Sequence, residues 1–236
     1  MLRAFLIWVI HMTVVPPMAS AGALAELLFR GCEGVPKVAR PWSRWVLRVA
    51  GVRLVLRDFE RLAGPAVVVM NHCSAFDIYL ACGHLPIPFR MVAKESLFRI
   101  PVFGWALSVG GFIPLERRGS RTDVRRISAI AWDPRRAAVV CFFPEGTRSQ
   151  DGRLRRFKKG AFAAALHEKV PVIPVAISGT HRIQPPGRFA VRPGTVECRV
   201  LEPIETATLG PEDRDRIADL AYERILAALP LEQRPL

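Results

Sequence analysis

Short apolar runs with β character alternate with helix-like runs along most of this chain. That alternation restricts the fold more than any other feature. Residues 52–56, 66–70, 90–93, 137–143, 172–178 and 195–201 read as strands, and 76–82, 102–109, 121–132 and 160–167 as helices. In the tail, Ile217, Leu220, Ala221, Ile225 and Leu229 recur at helical spacing behind Pro211 and acidic residues suited to a helix start. The expected fold is α/β, a mixed sheet flanked by helices. The chain has 236 residues, of which 50% are hydrophobic, enough for a sizeable core. No repeat, low-complexity tract or linker divides residues 41–236, which are expected to form one domain behind an N-terminal segment of residues 1–40. Pro and Gly in 184–194 mark a surface excursion.

The N-terminal segment carries no Asp, Glu, Lys or Arg from Ala4 to Ala25. Its first half is strongly apolar, Pro16-Pro17 interrupts it, and 19–29 is a milder apolar helix candidate. Three readings are open. Arg3 before an apolar run and Ala19-Ser20-Ala21 suit a signal peptide. A single membrane span needs about 20 apolar residues, and the double proline falls in its middle. A helix–break–helix pair lying in one leaflet fits both the length of each half and the break, so a membrane-associated helical pair is expected. Arg30, Lys37, Arg40, Arg44 and Arg48 follow, and would keep the downstream domain on the cytoplasmic face of a membrane, the inner membrane if the cell is bacterial.

The net charge of +13 points to an anionic partner. Basic residues crowd at Arg117, Arg118, Arg121, Arg125, Arg126, Arg135 and Arg136, and again at Arg153, Arg155, Arg156, Lys158 and Lys159. No zinc-finger spacing, RNA-binding signature or zipper accompanies them, which leaves membrane and phosphate ahead of nucleic acid. The 5 cysteines are scattered, odd in number and include no Cys-x-x-Cys, which fits a reducing compartment with neither disulfide framework nor structural zinc.

Four segments carry chemistry. In Asn71-His72-Cys73-Ser74-Ala75-Phe76-Asp77 a histidine precedes an aspartate, directly after the apolar run Val67-Val68-Val69-Met70. A histidine oriented by a carboxylate takes a proton from a hydroxyl. Five residues of straight helix turn about 500°, so the pair meets only if His72 is still in the loop and Asp77 in the first helical turn. Ser74 as N-cap with Asp77 three residues on suits that placement, and equally suits a plain capping box. Cys73 should diverge from His72, which disfavours an acyl-cysteine, and no partner ligands suit a metal. The second segment, Gly111-Phe112-Ile113-Pro114-Leu115-Glu116-Arg117, is an extended run ending in a cation that either binds phosphate or is one more exposed arginine. The third, Phe143-Pro144-Glu145-Gly146-Thr147-Arg148-Ser149, follows a strand and suits either a polar ligand at the carboxyl edge of a sheet or an ordinary turn. In the fourth, Val170-Pro171-Val172-Ile173-Pro174-Val175, two prolines mark an edge or irregular strand, with core packing as its main purpose.

In this order the four segments strongly resemble the glycerolipid acyltransferase family that includes 1-acylglycerol-3-phosphate acyltransferases. Its pattern is Asn-His-x-x-x-x-Asp, Gly-x-Ile-x-x-x-Arg, Phe-Pro-Glu-Gly-Thr-Arg-Ser and an apolar Ile-Pro-Val block. The stretches around Lys94, from Ile100 to Trp105, and from Phe157 to Ala161 are similar too. One departure is Cys73, where members often carry Gln.

The resemblance implies acyl transfer from a thioester, acyl-CoA or acyl-carrier protein, to the sn-2 hydroxyl of 1-acylglycerol 3-phosphate, giving phosphatidic acid. No cofactor or metal is implied. His72 would be the general base and Asp77 its orienting partner, with backbone N–H groups at the helix start stabilising the oxyanion. Arg117, Glu145, Gly146, Thr147 and Arg148 would bind the glycerol phosphate, with Lys94 a further ligand. The implied partners are the lipid bilayer, the lysophospholipid acceptor and the thioester donor. The same motifs also serve other lysolipids, such as lyso-ornithine lipid, and a non-catalytic membrane-binding protein is the remaining alternative.

Overall fold

The computed structural model describes residues 34–101, 103–109, 112–115 and 139–236, with residues 4–6, 9, 13, 17, 20, 21 and 24 as isolated helical positions. The expected helix over 121–132 and the cation Arg117 lie outside the described residues.

Seven strands form one sheet: β1 (Val52–Arg57), β2 (Ala66–Met70), β3 (Phe89–Lys94), β4 (Ile113–Leu115), β5 (Val139–Phe142), β6 (Val172–Ser178) and β7 (Gly194–Val200), in the order β1-β7-β6-β2-β5-β3-β4. β6, β2, β5, β3 and β4 run parallel. β7 is antiparallel to β6 and parallel to β1, so the sheet is mixed as expected.

Alternation along each strand divides the core in two. Val68, Met70, Cys141, Ile173 and Val175 pack on one face with Val46 and Leu47 of α1 (Gly34–Val49) and Phe76 and Leu80 of α2 (Phe76–His84). Val67, Val69, Val140, Phe142 and Val172 pack on the other. There they meet Phe162 and Ala165 of α4 (Gly160–Glu168) and Ile217, Ala221 and Ile225 of α6 (Arg214–Ala228). Two short helices complete the described set, α3 (Phe103–Val109) and α5 (Thr180–Ile183). β2 is buried over its whole length because it is covered on both faces, which is why its sequence is an unbroken apolar run.

α1 was not anticipated, although Trp42, Trp45, Val46 and Val49 recur at helical spacing. It packs on α2, and its arginines finish that helix. Arg40 Nη2 donates to Leu85 O (2.9 Å) and Arg44 Nε to Gly83 O (2.8 Å), satisfying carbonyls that a helix C-terminus leaves without partners.

The proline-bearing strand is not an edge. β6 lies between β7 and β2. Pro174 is tolerated because the antiparallel ladder with β7 begins one residue later, at Val175↔Val200. Its carbonyl accepts from Leu201 N (2.9 Å), just past the end of β7, so the missing N–H falls at the margin of the ladder rather than inside it.

Because β2, β5 and β6 are adjacent and parallel, the segments leaving their carboxyl ends converge at one edge of the sheet.

Candidate active site

Three connections meet at that edge: 71–75 after β2, 143–159 after β5, and Gly179 with α5 after β6. The first carries His72. Its Nδ1 lies 2.7 Å from Asp77 Oδ2. Asp77 Oδ2 also accepts from the backbone N–H of Cys73 (2.8 Å) and Ser74 (2.9 Å), and Oδ1 accepts from the Thr180 hydroxyl (2.5 Å). A carboxylate can only accept, so the imidazole proton sits on Nδ1 and Nε2 carries the free lone pair. The Asp77 side chain is 0% exposed and that of His72 10%, so only the imidazole reaches a substrate. The Phe143 ring stacks on it, with centroids 4.0 Å apart and planes 20° from parallel.

The capping box expected of Ser74 and Asp77 does not form: the N-cap of α2 is Ala75, and Ser74 Oγ accepts from Phe76 N (3.2 Å) rather than from Asp77 N. Asp77 Oδ2 does reach back to Ser74 N, and the same oxygen orients the histidine. The N–H groups of Cys73, Ser74 and Phe76 at the helix start are engaged by Asp77 and Ser74, which removes these three from the expected sources of oxyanion stabilisation.

The loop after β5 grips the backbone of His72 on both sides. His72 N–H donates to Glu145 Oε1 (2.6 Å), and His72 O accepts from Ser149 N (2.8 Å). The other Glu145 oxygen accepts from Arg155 N (3.2 Å). Glu145 is 5% exposed, so its carboxylate faces inward and braces the loop; its place is beneath the site rather than at a ligand surface. Burial pushes its pKa up to about 8 despite the two amide donors. Gly146 closes the turn by donating to Phe143 O (3.0 Å), at φ 75° in the left-handed region that favours glycine. Thr147 and Arg148 follow at the exposed mouth.

Lys94 is exposed at the carboxyl end of β3, beyond β5 from β2 and thus roughly 10 Å across the sheet. Cys73 points away from the imidazole. Its thiol is buried 3.2 Å from Thr180 Oγ, and burial, followed by the nearby Asp77 charge, raises its pKa far above the ordinary thiol value. A thiol so held is not a nucleophile.

Several functional residues escaped the sequence reading. Asn71 Nδ2 donates to Ile177 O (2.8 Å) and its Oδ1 accepts from Ile177 N (2.7 Å), tying the end of β2 to β6. Ser149, Phe143 and Thr180 act as described, and Gln233, 6% exposed, accepts from Gly179 N (3.2 Å) and donates to Gly152 O (3.3 Å). For Asn71, Phe143 and Ser149 the signal was membership of a motif; Thr180 and Gln233 had none.

A buried carboxylate orienting a histidine at the carboxyl edge of the parallel strands is an arrangement chemically able to act as a general base. Residues 40–178 match the Acyltransferase family model, and the chain belongs to the acyltransferase family. It is 40% identical over 159 residues to a chloroplastic 1-acyl-sn-glycerol-3-phosphate acyltransferase of Brassica napus, covering 66% of this chain and 46% of that protein. It is 28% identical over 207 residues to a 1-acyl-sn-glycerol-3-phosphate acyltransferase of Pseudomonas aeruginosa, covering 84% and 80%. The chain thus spans about half the length of the plant relative, at 46%, and most of the bacterial one, at 80%. The crystal structure of the 1-acyl-sn-glycerophosphate acyltransferase PlsC from Thermotoga maritima shares the fold, with a TM-score of 0.74, 24% identity and 94% of each chain covered.

Proposed function

We propose that this chain moves a fatty acyl group from an acyl thioester to the sn-2 hydroxyl of 1-acylglycerol 3-phosphate, giving phosphatidic acid. The observation that carries the proposal is the His72 Nδ1–Asp77 Oδ2 contact of 2.7 Å, which leaves Nε2 as the free base. The names of the relatives supply the acceptor.

The acceptor hydroxyl gives its proton to His72 Nε2 as its oxygen attacks the thioester carbonyl. The C–O bond forms, the tetrahedral intermediate collapses, the C–S bond breaks, and the imidazolium returns the proton to the departing thiolate. Asp77 holds the imidazole in the Nδ1–H tautomer and stabilises the imidazolium. The substrate hydroxyl takes the position of a serine nucleophile, so no covalent enzyme intermediate is needed.

Arg148 and the Gly146-Thr147 backbone at the exposed mouth bind the glycerol phosphate, joined by Arg117 and Lys94, since guanidinium and ammonium groups complement phosphate charge. Glu145 serves this site by shaping the loop. The donor is acyl-CoA or acyl-carrier protein. The N-terminal segment attaches the protein to the cytoplasmic face of a bilayer, a role supported by the exposure of Phe5, Leu6, Val9 and Leu24. Among the described residues no helix is long and apolar enough to cross a membrane.

The test is thiol release from acyl-CoA by purified protein in vesicles, comparing 1-acylglycerol 3-phosphate, glycerol 3-phosphate and lyso-ornithine lipid. Release that depends on 1-acylglycerol 3-phosphate is expected. Release with another acceptor alone would overturn the substrate assignment while keeping the chemistry.

A further inference from the structure

We infer that Thr180 is a positioning residue of the catalytic apparatus, acting on His72 through Asp77; the inference rests on His72 being the general base. Thr180 is 0% exposed. Its hydroxyl donates to Asp77 Oδ1 at 2.5 Å, and that hydroxyl in turn lies 3.2 Å from Cys73 Sγ. With the hydroxyl proton committed to the carboxylate, Cys73 is the donor in the second contact. A chain of donors therefore runs from Cys73 through Thr180 to the aspartate that orients the base.

The two Asp77 oxygens are not equivalent. Oδ2 takes His72 Nδ1 and the N–H groups of Cys73 and Ser74, while Oδ1 has Thr180. The terminal torsion of an aspartate is broad, so a carboxylate is held in one rotation only by what its two oxygens touch. Removing the hydroxyl leaves Oδ1 a buried charged oxygen short of a donor and releases one of the two ends that fix the carboxylate's rotation, so Oδ2, still held by three donors, is set less firmly opposite Nδ1.

The placement of Thr180 is built from three parts of the fold. Gly179, before it, adopts φ 91°, and a Cβ there would lie 2.3 Å from Thr195 O on β7, so no other residue fits. Gly179 N–H donates to Gln233 Oε1 in the C-terminal tail. Gln233 Nε2 donates to Gly152 O and so joins the same tail to the loop after β5. The end of β6, the strand beside it and the tail all converge to present one hydroxyl to Asp77.

Two variants separate positioning from packing. Thr180→Val keeps the shape and loses the hydroxyl; Thr180→Ser keeps the hydroxyl and loses the methyl. If Thr180 served packing, Val would be harmless and Ser harmful; the inference requires the reverse. In the thiol-release assay Thr180→Val is expected to lower kcat roughly 10- to 100-fold, the span set by a hydrogen bond to a charged group, with acceptor KM unchanged. Thr180→Ser should stay within about threefold of wild type, because the donor remains.

Proton NMR of the His72 Nδ1–H resonance supplies a readout independent of turnover. It should persist in Thr180→Ser and shift or broaden in Thr180→Val. If the wild-type protein transfers no acyl group, the proposed reaction fails while the resonance still tests the hydrogen-bond chain. Should Thr180→Val not fold, Thr180→Ala takes its place against Thr180→Ser in both measurements. A hydroxyl-free variant with wild-type kcat and an unmoved resonance, or a serine variant as impaired as valine, would overturn the inference.

Discussion

The segment 71–77 and the segment 146–148 lie at the same sheet edge but are built on opposite principles. In the first, His72, Asp77, Asn71 and Ser74 are buried and each side chain has a fixed partner in the protein. In the second, Thr147 and Arg148 are exposed. Under the proposed function the contrast separates two tasks. Proton transfer needs atoms held to within a fraction of an ångström before the substrate arrives. Phosphate capture needs a cation that is free to meet a lipid headgroup arriving at the mouth. Damage to the buried segment should therefore appear in kcat, and damage to the exposed one in acceptor KM.

The largest effects break the buried half. His72→Ala should lower kcat by about 10³-fold or more, the scale of a lost general base, with the protein still folded by circular dichroism. Asp77→Asn should cost about as much in kcat and also lower the melting temperature. The amide nitrogen would face either the N–H groups of Cys73 and Ser74 or the Thr180 hydroxyl, setting donor against donor on one side and leaving buried groups unsatisfied at about 1–3 kcal/mol.

Glu145→Gln sharpens the comparison, since Glu145 lies in the segment proposed to bind phosphate yet belongs physically to the buried half. One amide oxygen cannot serve both the His72 and Arg155 amides, so kcat should fall about 10-fold with acceptor KM nearly unchanged. The same variant has a pH signature. Burial raises Glu145 from 4.5 to about 8, so the folded protein holds this proton more tightly than the unfolded chain. The group's contribution to stability is full below about pH 4.5 and is lost as pH rises towards about 8. Denaturant unfolding across that window should show a falling component in wild type that is absent from Glu145→Gln.

The smallest effects belong to the exposed half and to the inert thiol. Arg148→Ala should raise acceptor KM about 10-fold and leave kcat within about twofold, with a weaker dependence on salt than wild type. Cys73→Ala should leave kcat within about threefold, because its buried thiol is no nucleophile and the Thr180 hydroxyl still donates to Asp77 without it.

Which parts could be read in the sequence follows from the range of the contacts involved. Val67 to Met70 announced a buried strand because burial on both faces leaves an unbroken apolar run. His72 and Asp77 announced a dyad because one turn of loop and one turn of helix bring them together. α1 is legible in the spacing of Trp42, Trp45, Val46 and Val49, whereas the bonds by which Arg40 and Arg44 close the end of α2 depend on tertiary packing. Pro174 misled, because whether a missing N–H matters depends on where the neighbouring strand stops, and that is a tertiary fact. Which N–H groups a helix start offers depends on the side chains that take them, and here Asp77 takes two, those of Cys73 and Ser74. Thr180 and Gln233 reach Asp77 and Cys73 from 103 and 160 residues away, and no local pattern encodes such contacts.

The most direct test of His72 as the base is the rate of acyl transfer to 1-acylglycerol 3-phosphate, measured side by side for wild type and folded His72→Ala in the same vesicles. The account predicts phosphatidic acid from the wild type and a rate at least about 10³-fold lower from the variant. Equal rates from the two proteins would contradict it.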